Sequence, residues 1–314
     1  MKRVLVTGAT GFIGRYSLAR LLESGYEVHA VSNQQSPTAR DGVTWHRADL
    51  LDLESIAPLM ARVQPTHLLH FAWYAVPGKY WTAPENLGWV RATASLMQAF
   101  TDCGGQRAVM AGTCAEYDWK FDYCSELFTP CRPATVYGAC KHSAHVLLDA
   151  WSAQEGISSA WGRIFFLYGP GEYPSRLVPS VINSLLRNEP ARCTHGKQLR
   201  DFMYVKDVAA AFVALLNSDV RGAINIASGN ALPLKDLIHA AADELGKRSL
   251  IELGAIAAQA GDPGALIADA TRLREEVGFR PQYSLQKGIA RTVEYIKAAR
   301  VLDNDGGRSD EVDD

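Results

Sequence analysis

The chain contains 314 residues, of which 47% are hydrophobic and 21% charged, and its formal net charge at pH 7 is −2. This length suits one large α/β unit with a smaller appendage, and the composition is typical of a globular protein rather than a disordered one. The near-neutral charge predicts no nucleic-acid partner. No apolar run approaches the roughly 20 residues of a membrane helix, so we expect no membrane partner either.

The cysteine and histidine patterns give no sign of a metal site. Six cysteines occur without a CxxC pair or a His/Cys ligand spacing, and we interpret them as reduced thiols in a cytoplasmic protein. His142 and His145 lie at helical spacing, but the pattern offers no third ligand. We therefore predict no metal and expect core or dimer contacts for these histidines.

The N-terminal half alternates short apolar runs with amphipathic stretches. Strands are predicted at 3–7, 27–32, 67–73, 107–111 and 159–167, and helices at about 12–24, 84–102 and 134–154. Strands that alternate with helices predict an α/β fold with a Rossmann-type, doubly wound parallel sheet. Ligands of such sheets bind at the C-terminal ends of the strands.

The regular alternation of predicted strands and helices ends after Pro170. Helices are predicted at 178–187, 234–246, 270–277 and 285–300, and a further sheet strand at 223–227. We therefore predict a first domain over 1–168, to which 200–228 return, and a smaller, mainly helical substrate lobe over 169–199 and 229–300. The acidic tail at 301–314 is expected to be disordered.

Three glycines lie where the first strand passes into the first helix. Their G-x-x-G-x-x-G spacing lets the backbone approach a pyrophosphate, whose charge the free N–H groups of the helix start favour. This pattern predicts a dinucleotide site, although a plain strand-to-helix turn is the alternative. The expected contacts come from Gly8, Thr10, Gly11, Phe12, Ile13 and Gly14.

The end of the second strand indicates which dinucleotide binds. A carboxylate there would bind the adenosine ribose of NAD, but this strand ends in Ser32 and Asn33 without an acid. A small hydroxyl leaves room for the 2′-phosphate of NADP, and Arg40 or Arg15 is a candidate counter-charge. We predict NADP, with NAD as the other possibility.

A tyrosine and a lysine four residues apart suggest proton transfer. Tyr137 and Lys141 share one face of the predicted helix over 134–154. A nearby ammonium favours the phenolate, so we expect Lys141 to lower the pKa of Tyr137 toward neutrality. Thr113, after the strand at 107–111, is placed to hold the reacting oxygen. The alternative is a surface lysine beside a packed tyrosine.

In these motifs the sequence resembles the extended short-chain dehydrogenase/reductases, especially their nucleotide-sugar epimerase/dehydratase branch, from about Lys2 to Lys297. The resemblance implies a nicotinamide enzyme in which Tyr137 exchanges a proton with the substrate oxygen. It implies further cofactor contacts from Asp49, Leu50, Phe71, Ala72, Tyr137 and Lys141. The substrate-binding candidates are Trp73, Thr113, Arg176, Val178 and Arg200, the last matching an arginine that binds the sugar nucleotide's diphosphate.

Departures from the family pattern narrow the reaction. Dehydratases have an Asp-Glu pair where this chain has Cys114 and Ala115, and enzymes that epimerise beside the ketone use a Cys and a His where it has Ala115 and Arg176. Ketone reduction and C4 epimerisation remain. Relatives of the epimerase type carry an acid at the Ser32 position, so we favour an NAD(P)H-dependent reductase of a nucleotide-activated keto-sugar, best an NDP-4-keto-6-deoxyhexose.

Two alternatives stay open: an NAD-dependent nucleotide-sugar C4 epimerase, and a non-catalytic dinucleotide-binding regulator. Three positions where the family has polar substrate ligands are here Gln259, Phe166 and Trp89, so the pocket is expected to hold the diphosphate differently or to take a less charged substrate. The aromatic loop over 73–81 is a candidate for stacking on a sugar or base, or for packing between lobes. The resemblance also implies a homodimer.

Overall fold

The computed structural model describes residues 2–34, 40–259 and 261–306, with the side chains of 302–306 left aside. The strands are β1 (Arg3–Thr7), β2 (Glu27–Ser32), β3 (Val43–Arg47), β4 (His67–His70), β5 (Arg107–Thr113), β6 (Tyr123–Cys124), β7 (Ser158–Ile164), β8 (Phe166–Tyr168), β9 (Ala191–Cys193), β10 (Leu199–Tyr204), β11 (Gly222–Ile226), β12 (Ala231–Pro233), β13 (Ile251–Leu253) and β14 (Ala265–Ala268). The helices are α1 (Gly14–Glu23), α2 (Ile56–Val63), α3 (Glu85–Asp102), α4 (Val136–Glu155), α5 (Leu177–Leu186), α6 (Val205–Asn217), α7 (Leu234–Glu244), α8 (Thr271–Glu275) and α9 (Leu285–Gly306).

Seven strands form one parallel sheet in the order β11-β7-β5-β4-β1-β2-β3. The chain changes direction of winding between β1 and β4, which creates a crevice at the C-terminal ends of these strands. The predicted Rossmann-type fold is therefore confirmed. None of the helices in the described part of the chain is long and apolar enough to cross a membrane.

Alternation along β1 shows how the two faces of this sheet are covered. Val4 and Val6 pack into a core with α1 and α6, whereas Leu5 packs into a second core with α2, α3 and α4. Successive side chains of a strand point to opposite faces, and both faces are buried here. The sheet is thus held rigidly between two helical layers, with its carboxyl edge left for the site.

The C-terminal lobe contains more β-structure than the sequence predicts. A second sheet runs β12-β10-β14-β6, with β8 beside β10, and α5, α7 and α9 pack on it around a third core. The stretch 200–228 divides between the two sheets, because β10 joins the second sheet whereas β11 pairs with β7 of the first. These strands have two to six residues, too few for an alternating pattern to be recognised.

Two other expectations need correction. The strand predicted over 159–167 is two strands, because the chain leaves the large sheet at Phe165 and β8 joins the second sheet. Strand β3 and helix α2 were not predicted from the sequence. The predicted tail begins later than expected, since α9 extends to Gly306, and 307–314 lie outside the described residues.

Candidate active site

The turn after β1 is shaped by its glycines. Gly8 has φ +66°, and a Cβ on it would lie 2.7 Å from the backbone nitrogen of Ala72. A Cβ on Gly14 would lie 2.2 Å from the carbonyl oxygen of Gly8. The turn closes through a 2.9 Å hydrogen bond from the Gly11 N–H to the Gly8 carbonyl. Side chains are therefore excluded at Gly8 and Gly14, which is the requirement for a backbone cradle around a pyrophosphate.

The other residues of this turn that are predicted to contact the dinucleotide differ in exposure. Thr10 and Gly11 are exposed, whereas Phe12 and Ile13 are partly buried. Helix α1 begins at Gly14, so its first free N–H groups face the same space. The structure thus brings the whole predicted phosphate-binding segment to the C-terminal edge of β1, and the residues present fit a dinucleotide diphosphate.

The end of β2 holds the residues predicted to select the cofactor. Ser32 is buried, and its Oγ accepts a 3.0 Å hydrogen bond from the Gln34 N–H, while Asn33 is exposed. Arg40 donates to the backbone carbonyl of Arg15 at 3.2 Å, close to the first turn of α1. The Arg15 guanidinium bonds instead to the Gly171 carbonyl at 2.8 Å.

The adenine-side candidates follow β3 at the edge of the large sheet, and the nicotinamide-side candidates follow β4, which pairs with β1. Asp49 is exposed, and one of its carboxylate oxygens accepts the Leu51 N–H at 3.0 Å, while Leu50 is buried in the core beneath it. Phe71 packs edge-on against Phe212, with ring centroids 4.9 Å apart. The Ala72 N–H donates to the Thr7 hydroxyl at 3.3 Å, which ties β4 to β1 beside the glycine turn.

The position of Tyr137 is set by the start of α4. The Thr135 hydroxyl caps the helix by accepting the Gly138 N–H at 3.1 Å. A Cβ on Gly138 would lie 2.3 Å from the Ala115 carbonyl oxygen, so only glycine lets the helix approach the turn that follows Thr113. The close approach brings the start of α4 to the turn after Thr113, and the Thr113 side chain lowers the pKa of the Tyr137 phenol, against the effect of burial.

The aromatic loop over 73–81 packs on Tyr137 and Lys141, the pair predicted to transfer a proton. Tyr80 and Trp81 contact the Tyr137 ring edge-on at centroid distances of 4.8 and 5.8 Å, and the Tyr137 N–H donates to the Trp81 carbonyl at 3.1 Å. The Lys141 ammonium lies 3.9 Å from the centre of the Trp73 ring. In this structure the loop therefore encloses the site, and Trp73 lies over Lys141.

The pKa shifts of Tyr137 and Lys141 differ from those predicted from the sequence. Lys141 is buried, and its ammonium donates a 2.7 Å hydrogen bond to the Ala111 carbonyl. Burial lowers the pKa of Lys141 to about 7, although the Glu116 carboxylate opposes this. Burial also raises the pKa of Tyr137 well above 10, with Tyr80 adding to the increase and Thr113 opposing it. The predicted lowering of the Tyr137 pKa is therefore wrong, because burial of the phenol is the largest contribution to its pKa.

The substrate candidates of the lobe divide into two groups. Arg176 is exposed and lies beside Tyr80 and Glu172. Burial raises the pKa of Glu172 to about 8 and the Arg176 charge opposes this. Val178, in contrast, is buried among the apolar residues of the third core. Its side chain packs the lobe, and a substrate contact at this position stays a prediction.

Arg200 is buried and already has protein partners. Its Nη2 donates to Asp262 at 2.6 Å and to the Pro263 carbonyl at 2.7 Å, and its guanidinium lies 5.3 Å from the centre of the Phe166 ring. Phe166 thus packs on the arginine in place of a polar substrate ligand. A diphosphate at Arg200 would have to share the guanidinium with Asp262.

Sequence reasoning missed Glu116, which is completely buried behind Thr113. Its carboxylate lies within 4.8 Å of ring nitrogens of His142 and His145, a set that resembles a metal site. However, Glu116 Oε2 accepts the Arg163 Nε–H at 3.0 Å, and the Arg163 Nη2 lies 3.3 Å from His145 Nδ1. A guanidinium inside the cluster takes the place of a cation there. The only signal in the sequence was a carboxylate three residues after Thr113.

Comparison with known proteins agrees with this geometry. The sequence profile of the NAD dependent epimerase/dehydratase family matches residues 4–227. UDP-glucuronic acid decarboxylase 1 of Xenopus tropicalis is 26% identical over 308 residues, covering 94% of this chain and 72% of the relative.

Two solved structures share both fold and sequence with the chain. MoeE5 with UDP-glucuronic acid and NAD has a TM-score of 0.81 and 30% identity, covering 95% of this chain and 99% of that one. UDP-glucose 4-epimerase of Thermus thermophilus with NAD has a TM-score of 0.81 and 26% identity, with the same coverage. The chain therefore belongs to the NAD-dependent epimerase/dehydratase family of extended short-chain dehydrogenase/reductases, enzymes that act on nucleotide sugars with a nicotinamide cofactor.

Proposed function

We propose that this protein is an NADPH-dependent reductase of a nucleotide-activated keto-sugar. The observation that carries the proposal is the enclosure of the Tyr137 phenol beneath Tyr80 and Trp81, which raises the pKa of the phenol above its usual value and so favours the protonated form. A protonated phenol is a general acid, as ketone reduction needs. An epimerase cycle begins with oxidation of the sugar alcohol, which needs the phenolate as a base.

The chain's own residues then have distinct tasks. Bound NADPH would supply a hydride to the carbonyl carbon. Thr113 hydrogen-bonds the carbonyl oxygen, and Tyr137 donates its proton to that oxygen as the C–O group becomes an alcohol. The phenolate left on Tyr137 recovers a proton from water. Lys141 binds the nicotinamide ribose and stabilises this phenolate.

The end of β2 supports NADP over NAD. No carboxylate follows Ser32, and Arg40 is anchored at the first turn of α1, near the expected position of the adenosine ribose. A 2′-phosphate there would meet no acid at the strand end itself, and Arg40 would supply the counter-charge, with Asp41 next to it in the chain. Arg15 is the other candidate counter-charge, and its Nη2 donates to the Gly171 carbonyl.

The proposed substrate is an NDP-4-keto-6-deoxyhexose. Relatives are named for UDP sugars and one solved neighbour holds UDP-glucuronic acid, which supports a nucleotide diphosphate near Arg200. The aromatic side chains of Tyr80 and Trp81 suit the apolar face of a 6-deoxy sugar better than a charged substituent.

A second candidate is an NAD-dependent C4 epimerase. The specific observation in its favour is that the Thermus thermophilus neighbour, at 26% identity, is a UDP-glucose 4-epimerase in complex with NAD. A non-catalytic dinucleotide-binding regulator is the third candidate, and the presence of Thr113, Tyr137 and Lys141 together speaks against it.

Nicotinamide absorbance with NADPH or NADH and a dTDP- or GDP-4-keto-6-deoxyhexose tests the proposal. We expect sugar-dependent oxidation that prefers NADPH, and an inverted preference in Ser32→Asp. Tyr137→Phe should bind NADPH normally but lose about 10²- to 10⁴-fold in turnover. If the purified protein instead carries NAD and converts UDP-glucose to UDP-galactose without net oxidation, the epimerase replaces the reductase. If the Tyr137→Phe variant keeps the protein's function in full, the non-catalytic dinucleotide-binding regulator is favoured.

A further inference from the structure

A buried carboxylate lies directly behind the catalytic threonine. Glu116 Oε1 accepts a 2.8 Å hydrogen bond from the Thr113 N–H and another of 2.8 Å from the Trp161 indole. Its other oxygen, Oε2, accepts the Arg163 Nε–H at 3.0 Å. The carboxylate is therefore fully engaged on the side away from the substrate, and it is not an acid or base that reaches the sugar.

We infer that Glu116 is a positioning residue of the active site, which fixes the Thr113 hydroxyl through the backbone and supplies the fixed negative charge that faces Lys141. This inference rests on the catalytic roles proposed for Thr113 and Lys141. It adds to them a side chain that touches neither substrate nor cofactor.

The first part of the inference follows from the hydrogen bonds of Thr113. Its Oγ1 accepts the Ala115 N–H at 3.2 Å, while its own N–H is held by Glu116, so the two residues form a capping box. With one lone pair of the hydroxyl occupied by the backbone, its proton is directed outward, toward Tyr137 and the substrate oxygen. Loss of the Glu116 carboxylate would free the backbone of Thr113 and broaden the orientations of its hydroxyl.

Strand packing makes this arrangement rigid. A Cβ on Gly112 would lie 2.0 Å from the Trp161 indole nitrogen and 2.6 Å from Glu116 Oε1. The indole and the carboxylate are thus pressed against the backbone of β5 immediately before Thr113. His145 stacks on Trp161 from α4, with ring centroids 5.3 Å apart.

The second part follows from charge. The Lys141 ammonium donates to the Ala111 carbonyl of β5 and lies 5.9 Å from the centre of the Trp161 ring, whose indole donates to Glu116. His70 from β4 is the other titratable group that acts on Lys141, and Arg163 and His145 are the charged or titratable groups in contact with Glu116. Glu116 is the carboxylate that opposes the desolvation of the Lys141 ammonium. A fixed negative charge in a buried site keeps a larger fraction of the lysine charged at neutral pH.

The test compares Glu116→Gln with Glu116→Asp and a matched control. Glutamine keeps an oxygen that accepts the Thr113 N–H but removes the negative charge. Aspartate keeps the charge, but its shorter side chain no longer reaches the Thr113 N–H. Arg107→Met is the control, because Arg107 is a buried charged residue at the opposite end of the same strand. The pKa of Lys141 is read by NMR of ¹³Cε-lysine-labelled protein, with Lys141→Met assigning the resonance.

We expect Glu116→Gln to lower the pKa of Lys141 by about one unit and to move the alkaline limb of the activity profile to lower pH. Glu116→Asp should leave that pKa in place but reduce kcat about 10- to 100-fold. Arg107→Met should lower the melting temperature without changing the pKa. An unchanged Lys141 pKa in Glu116→Gln would overturn the inference. Equal losses of kcat in all three variants would overturn it as well.

The NMR titration needs neither substrate nor cofactor, so it separates the two proposals. If the wild-type enzyme does not oxidise NADPH with any of the keto-sugars, the proposed reductase function is refuted. The pKa of Lys141 is still measured in that case. If Glu116→Gln does not fold, Glu116→Asp still tests the backbone clamp: an unaltered kcat in that variant would refute it.

Discussion

Replacing Lys141 with methionine should change the stability of the cofactor-free protein in a strongly pH-dependent way. Burial lowers the pKa of Lys141 from 10.5 to about 7. At about 1.4 kcal/mol per pKa unit, the buried ammonium costs about 5 kcal/mol of folding free energy at pH values below 7. Methionine has a similar shape and carries no charge, so it removes this cost.

The sign of the effect follows from proton binding. Below pH 7 the lysine is charged in both the folded and the unfolded state, and the cost is fully present. Between pH 7 and about 10.5 the unfolded state binds more protons, so the stability of the wild type rises with pH until the cost disappears. Methionine loses the hydrogen bond to the Ala111 carbonyl at every pH, which costs about 1–3 kcal/mol.

Together these terms make Lys141→Met more stable than the wild type by about 2–4 kcal/mol at pH 6 and less stable by about 1 kcal/mol at pH 10. Urea unfolding of both proteins at the two pH values measures the difference. Lys120→Met, at an exposed position, is the control and should match the wild type at both. An equal stability difference at both pH values, or a wild type more stable than Lys141→Met at pH 6, would show that the buried ammonium does not carry this cost.

Two further predictions concern the glycines that shape the site. Gly14→Ala places a Cβ 2.2 Å from the Gly8 carbonyl oxygen, so we expect NADPH binding to weaken at least about 100-fold, as measured by nicotinamide fluorescence. Gly264→Ala, with open space around its Cβ, is the control for added side-chain bulk. Gly138→Ala places a Cβ 2.3 Å from the Ala115 carbonyl and should push α4 away from Thr113. It should lower kcat about 10- to 100-fold with little change in NADPH affinity, and an unaltered kcat would contradict the packing argument.

The order of the long elements was predictable because each carries its own signal. The runs that became β1, β2, β5 and α3 are apolar at the spacing of a strand or helix and are bounded by glycine or polar residues. The short strands of the second sheet were not predictable, because two to six residues show no period. They are stabilised by neighbours distant in sequence, as when β10 pairs with β8, β12 and β14.

The candidate site divides in the same way. The sequence by itself determined the glycine turn, the missing acid after β2 and the pairing of Tyr137 with Lys141, since each depends on residues close together in the chain. Only the tertiary structure decided the charge state of that pair, because desolvation depends on what packs around it. It also brought Glu116 from the turn after β5 to Arg163 on β7, 47 residues later. Buried charges interact through space, and sequence spacing carries no record of that distance.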